Sequence, residues 1–311
     1  MNKILDYIFF TRPILFFPGW TTILMAIHFA KIENGMPIRV NWFPDFAFVT
    51  FFVAIAMLMA SASVLNQICD IESDKQNNKL PFLANHIVSL RGAYIFAVSL
   101  AIAAFFLLLQ PQESIYYNIA VVISFLTGGY LYNYQPFAFK NKVFAGLLAN
   151  MVMGASVFAI GFFTIGDSFI AMLSWGLPVF LINTGLYVVT TLPDIEGDRA
   201  DNKMTIGVYL GTEKSLKLAT LLFIPGSLVF VFFDVWTAVA LLPGGIYFAL
   251  AGYGNNLPTA LTAIKYAMTG MALRVVLLWP WYLGVIVLAY LITRVYYHRR
   301  FGLNYPSFSD D

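Results

Sequence analysis

The chain has 311 residues, of which 60% are hydrophobic and only 11% charged, against roughly 25% charged in an average soluble domain. A mean hydropathy of +0.76 excludes an ordinary water-soluble globule. A formal net charge of +2 says little about partners, though no nucleic-acid partner is expected, and the single cysteine, Cys69, excludes an intrachain disulfide and any multi-cysteine metal site.

Apolar stretches long enough to cross about 30 Å of hydrocarbon occur nine times in chain order, at 13–31, 46–69, 90–109, 115–134, 143–164, 168–190, 215–233, 235–253 and 276–296. Strands of a membrane barrel would alternate apolar and polar residues, whereas these runs are apolar on every face. The expected architecture is therefore all-α: one polytopic membrane helix bundle of about nine transmembrane helices, a single domain over 1–311. Arg12-Pro13 interrupts the first apolar run and no small-residue cleavage site follows, so the first helix is expected to stay rather than be removed as a signal. Segment 254–275, with Pro258, Lys265 and Arg274, reads either as an interfacial helix or as a connector. No internal repeat or low-complexity stretch is evident.

Charge is costly in hydrocarbon, so the few charged clusters locate function. Seven of the 16 acidic residues fall in two short segments: Asp70, Glu72 and Asp74 after the second helix, and Asp194, Glu196, Asp198 and Asp201 after the sixth. Strict alternation across the bilayer puts both segments, and the tyrosine-rich loop after the fourth helix, on one side. With a cytoplasmic N-terminus that side collects 13 of the 18 basic residues, Lys265 and Arg274 among them, so the aspartate loops are expected in the cytoplasm. The same alternation leaves Arg294, Arg299 and Arg300 on the opposite side.

The first segment, Asn66-Gln67-Ile68-Cys69-Asp70-Ile71-Glu72-Ser73-Asp74, is an NxxxDxxxD pattern; a spacing of four puts Asn66, Asp70 and Asp74 on one helical face. In the second, Asp194, Asp198 and Asp201 recur at i, i+4 and i+7. Carboxylates so close repel unless a cation is present. Mg²⁺ suits such sites, because it takes one or two protein carboxylates and completes its shell with water and substrate phosphate. Solvated aspartates that merely cap helices are the plain alternative; two motifs at helix ends of equal parity favour metal-bridged diphosphate binding.

At these residues the sequence resembles the UbiA-type intramembrane prenyltransferases, marked by NxxxDxxxD after helix 2 and DxxxD after helix 6. The likeness extends to Arg12-Pro13, the stretch Asn66 to Leu83, the loop Tyr130 to Lys142, and Asp194 to Arg199 followed by Lys203 and Thr205. It implies nine helices around a central cavity that opens sideways to lipid. It further implies that Asp70, Asp74, Asp194 and Asp198 hold Mg²⁺ and carry catalysis, that Asn66 binds the substrate diphosphate beside them, and that Arg12, Lys79, Lys142 and Lys203 contact phosphate. Tyr130, Tyr132 and Tyr134 are similar to the family's tyrosine-rich loop, where an aromatic face guards an allylic cation or anchors the interface. Asn150 and Asn183 are expected to join helices, and His86 to be structural. Many members carry a Lys-Asp pair where this chain has Thr190-Thr191, which points to an acceptor without an acidic hydroxyl. The implied reaction moves a prenyl group from a prenyl diphosphate to a lipophilic acceptor such as a quinone or chlorophyll precursor, a polyene or a lipid, in a bacterial or archaeal cytoplasmic membrane. A membrane terpene cyclase, a cation transporter and a partner-binding structural protein remain as alternatives.

Overall fold

A computed structural model of the chain describes residues 3–71, 82–109 and 114–306, and all regular structure among them is helical. In order these are α1 (Lys3–Phe10), α2 (Phe17–Glu33), α3 (Phe46–Cys69), α4 (Leu90–Leu108), α5 (Ile115–Phe125), α6 (Val143–Phe162), α7 (Phe169–Thr190), α8 (Ile195–Ala200), α9 (Ile206–Phe233), α10 (Val235–Gly254), α11 (Leu257–Leu278) and α12 (Trp281–Phe301). A π-helical turn, Leu126–Leu131, extends α5, and 3₁₀ turns occupy Pro13–Phe16 and Phe139–Asn141. Eight helical segments among the described residues are long and apolar enough to cross a membrane; Ile115–Leu131 is a shorter apolar helix. The chain is an integral membrane protein.

Two compact units make up the molecule: 1–20, 40–112 and 279–311 form the first, and 21–39 with 113–278 the second. In the first, α3 packs along α4 through Ala93, Ala97, Ala101 and Ala104, a buried stripe of small side chains at helical spacing. Small residues let helices approach until polar groups bond across, and Ser61 Oγ donates to the Ala97 carbonyl at 2.7 Å. Phe9, Phe10, Ile68, Phe82, Leu83, Tyr296 and Tyr297 build a core that ties α1, α3 and α12 together.

The second unit is assembled by backbone contact at glycine. A Cβ on Gly270 would lie 1.9 Å from the Ala240 carbonyl oxygen, so α11 can lie along α10 only with glycine there. Phe29 stacks on Trp175 and Phe230 at 5.1 and 5.3 Å between centroids. At one end of the unit a polar cluster is buried: Asp234, between α9 and α10, accepts from Thr237 Oγ1 at 2.7 Å and Arg274 Nη2 at 3.0 Å, and His28 Nε2 lies 3.3 Å away.

The helix that carries Arg274 corrects one expectation. Segment 254–275 is neither an interfacial helix nor a connector, because Leu257–Leu278 is a full-length apolar helix antiparallel to α10. Its far end returns to the start of α10, where Arg274 pairs with Asp234. In the first unit Arg300 bonds Asp6 of α1 at 3.1 Å, so the basic end of α12 lies beside the N-terminal helix.

Candidate active site

The two aspartate motifs fall in different units, and each has its own local logic. Asn66 opens the last turn of α3, and Asp70 is the C-cap of that helix, its N–H donating to the Asn66 carbonyl at 3.1 Å; both residues are half-buried. Helix C-termini carry partial negative charge, so a carboxylate there gains nothing from the helix and favours a nearby cation. Asp74 and Lys79 lie outside the described residues.

Arg12 occupies the turn between α1 and the first 3₁₀ segment with φ 55° and ψ 62°. This left-handed conformation costs a non-glycine residue on the order of 1–3 kcal/mol and persists only where its surroundings over-determine it. Here the carbonyls at the end of α1 are all engaged. Ile8 accepts from Thr11 Oγ1 at 2.7 Å, Phe9 from the Tyr297 hydroxyl at 3.1 Å, and Phe10 from Gln67 Nε2 at 2.8 Å.

In the second unit, α7 ends at Thr190, and the chain turns through Asp194 into the six-residue α8. The Asp198 N–H donates to the Asp194 carbonyl at 2.8 Å, which sets the two aspartates one turn apart. Asp194 is exposed and its side chain makes no cap hydrogen bond, unlike Asp45, which caps α3 through the Phe48 N–H at 2.7 Å. Asp198 is half-buried. Lys203 folds back over this turn: its N–H donates to the Asp198 carbonyl at 2.8 Å and its Nζ pairs with Asp201 at 3.1 Å.

The tyrosine loop comes to the same place. Gly128 and Gly129 sit in the π turn, where Asn133 Nδ2 serves their carbonyls at 2.9 and 3.2 Å. π turns inside helices are frequent at functional sites. Tyr130 is exposed and stacks on half-buried Tyr134, with centroids 5.7 Å apart. Lys142 turns into its own loop, donating to the Pro136 carbonyl at 3.1 Å with its Nζ 6.0 Å from the Phe139 ring centroid. The Met204 N–H bonds the Asn141 carbonyl at 3.1 Å, so this loop and the second motif are joined directly.

One residue at this junction was not singled out from sequence. Tyr187 of α7 is half-buried, hydrogen-bonded to Tyr132, and within electrostatic reach of Asp198. Its hydroxyl lies against Gly146, where a Cβ would be 3.1 Å from the phenolic oxygen. The signal was present: Tyr187, Thr191, Asp194 and Asp198 recur at i, i+4, i+7 and i+11, one helical stripe. Thr190 and Thr191 instead turn their hydroxyls into their own helix, donating to the Tyr187 and Val188 carbonyls at 2.7 and 2.8 Å. Of the expected helix-joining amides, Asn183 packs against Gly154 of α6, whose added Cβ would meet its Nδ2 at 3.3 Å.

No group of three or more His, Cys, Asp or Glu converges on a metal site among the described residues. The donors that do come together, Asp194 and Asp198, are oxygen ligands one turn apart, which fits Mg²⁺ in its usual mode of one or two carboxylates plus substrate phosphate.

The described residues form membrane-length helices with carboxylate turns at helix ends. The UbiA prenyltransferase family model matches 34–268, and the chain belongs to this family. It is 27% identical over 192 residues to a probable homogentisate phytyltransferase 2, chloroplastic, of Oryza sativa subsp. japonica, covering 58% of this chain and 49% of that protein. The chain thus spans about half the length of this curated relative. In fold it is similar to a solved digeranylgeranylglyceryl phosphate synthase, with a TM-score of 0.62 at 23% identity over 92% of this chain and all of that one. A UbiA homologue from Archaeoglobus fulgidus, bound to DMAPP and Mg²⁺, has the same score at 17% identity, over 91% of this chain and 99% of that one.

Proposed function

We propose that the chain, as one catalytic domain over 1–311, transfers the prenyl group of a prenyl diphosphate to a lipophilic acceptor in a bacterial or archaeal cytoplasmic membrane, with its aspartate turns on the cytoplasmic side. The observation that carries this reading is the Asp194–Asp198 turn: two carboxylates one turn apart, one of them exposed, joined through Met204 and Asn141 to the tyrosine loop. The relatives' names support the donor and the lipophilic class of acceptor, and the solved homologue with DMAPP and Mg²⁺ supports the metal.

Asp70 and Asp74 with Asn66 on one motif, and Asp194 and Asp198 on the other, are the residues that would hold Mg²⁺. Bound there, the metal would neutralise charge developing on the leaving diphosphate. Arg12 and Lys203, with Lys79, supply positive charge for the phosphate oxygens; Lys142 instead shapes the tyrosine loop. Tyr130 and Tyr134, whose rings stack on one another, would offer an allylic cation aromatic electron density. The carbon–oxygen bond breaks first, leaving an allylic cation and diphosphate, and the acceptor's nucleophilic atom then forms its bond to the allylic carbon. The proton it loses passes to released diphosphate.

The test is diphosphate release by the purified protein with geranylgeranyl diphosphate and Mg²⁺, with and without a membrane-lipid extract. Release that requires the extract, with a prenyl mass gain on one lipid, supports transfer, while release without it points to a cyclase acting on the donor alone. Absence of release across shorter and longer donors, with no Mg²⁺ binding, overturns the enzyme reading.

A further inference from the structure

The turn that carries Arg12 is held by residues that neither motif pattern includes. Eight-residue α1 ends at Phe10, and its last carbonyls have no partner within the helix. One of them, Phe10, is taken by Gln67 Nε2 at 2.8 Å, from a buried side chain on the last turn of α3 immediately after Asn66. The next, Phe9, is taken by the buried Tyr297 hydroxyl at 3.1 Å and also accepts the Arg12 N–H at 3.1 Å. Phe9 is fixed again from the side, its ring stacked on Tyr296 at 3.9 Å between centroids. Farther back, Asp6 accepts from Arg300 Nε at 3.1 Å and from the Tyr296 hydroxyl. All these contacts converge on a backbone turn whose one unusual feature is a left-handed arginine. Strain so thoroughly enforced points to a use for the side chain it aims.

We propose that Gln67 and Tyr297 are positioning residues that hold the Arg12 turn and couple the arginine to the first aspartate motif, so that Arg12, Asn66 and Asp70 meet the donor's diphosphate as one preorganised set. The proposal rests on the prenyl-diphosphate reading of the site. It gives α12 and the end of α1 a task in donor binding: the Gln67 amide links the helix that bears Asn66 and Asp70 to the carbonyl two residues before Arg12. Neither positioning residue touches the reacting atoms, so its loss weakens donor capture more than turnover.

The experiment measures KM for geranylgeranyl diphosphate, kcat and the thermal midpoint for Gln67→Met, Tyr297→Phe, Arg12→Ala and the double variant Arg12→Ala/Gln67→Met. Removing the Gln67 hydrogen bond is expected to raise donor KM roughly tenfold with little change in kcat. In the Arg12→Ala background the same change is expected to add less than about twofold, since both act through one group. Tyr297→Phe deletes a single oxygen and keeps the test open if Gln67→Met does not fold. A drop in thermal midpoint and kcat with unchanged donor KM, or full additivity with Arg12→Ala, overturns the proposal. An unaltered KM in Arg12→Ala, while Asp198→Ala still abolishes release, sinks this inference and leaves the function standing. A wild-type protein that neither releases nor binds diphosphate removes both.

Discussion

The two ends of the second unit treat carboxylates in opposite ways. At one end Asp234 is enclosed by Thr237, Arg274 and His28, and three elements, α2, the α9–α10 junction and α11, meet over it. Burial pushes its carboxyl up, but the bonds from His28 and Thr237 and the Arg274 charge outweigh that and hold it below the usual carboxylate range. At the other end Asp194 is exposed and caps nothing. A carboxylate enclosed by the chain's own donors stabilises the fold, whereas one left open is available to something the chain does not contain. A 22-residue stretch of α9, from Thr212 to Phe233, separates the two kinds by about 33 Å of helix.

The largest effects should fall on activity at the open end. Asp194→Ala and Asp198→Ala are each expected to lower diphosphate release by about 10²–10³, the scale for losing a group that stabilises transition-state charge, with the thermal midpoint nearly unmoved. Retained release with a falling midpoint would make these carboxylates structural and erase the contrast.

At the enclosed end the expectation reverses. Arg274→Met or Asp234→Leu alone strands a buried charge or its partner and should cost about 3–5 kcal/mol of stability, while the double variant recovers much of that. Activity per folded molecule should stay at the wild-type level. A double variant no more stable than either single one would show that the ion pair itself is not the stabilising element.

Much of this contrast was legible in the sequence. The third helix ends where its apolar run ends, at residue 69, and α4, α6, α7 and α10 fall within two residues of their expected bounds, because hydrocarbon demands that apolar runs and helices coincide. The second motif and tyrosine loop were also evident as polar residues at helix ends. Three features were not. Lys265 and Arg274 broke the hydropathy of α11, and the partners that make Arg274 tolerable lie 40 and 246 residues away. The start of α9 was placed at 215 rather than Ile206 because its first turns are polar and interrupted at Gly211, whose φ of 71° is left-handed. Gln67 stood inside the first motif as an unassigned residue, since the acceptor of its amide, the Phe10 carbonyl, is not written in any side-chain pattern.

Acid sharpens the comparison by a smaller amount. A carboxyl held below its unfolded value contributes stability above about pH 3.9 and loses it as pH falls through that value toward the folded one. The stability difference between wild type and Asp234→Asn should therefore be constant from pH 7 to about pH 5 and narrow below about pH 4, by no more than about 1.4 kcal/mol per pH unit. Thermal midpoints of the pair from pH 7 to 3 measure this. A difference that stays flat to pH 3 would show that the ionised carboxylate is not what the cluster stabilises.

The smallest expected effect lies where the two treatments meet. Tyr187 is half-buried like a packing residue, yet it is within electrostatic reach of Asp198 and is bonded to the tyrosine loop through Tyr132. Its neighbours Thr190 and Thr191 have their hydroxyl protons committed to backbone carbonyls, so on the last turn of α7 the phenol is the group best placed to orient the second motif. Tyr187→Phe keeps the ring against Gly146 and deletes one hydroxyl. A loss of about three- to tenfold in release rate is expected, the worth of one hydrogen bond near a charged group, with the thermal midpoint almost unchanged. Tyr132→Phe should give a similar loss, and the two together little more than either, because they share one bond. If Tyr187→Phe instead lowers the midpoint and leaves the rate alone, the phenol packs rather than orients, and the open end of the unit begins at Asp194.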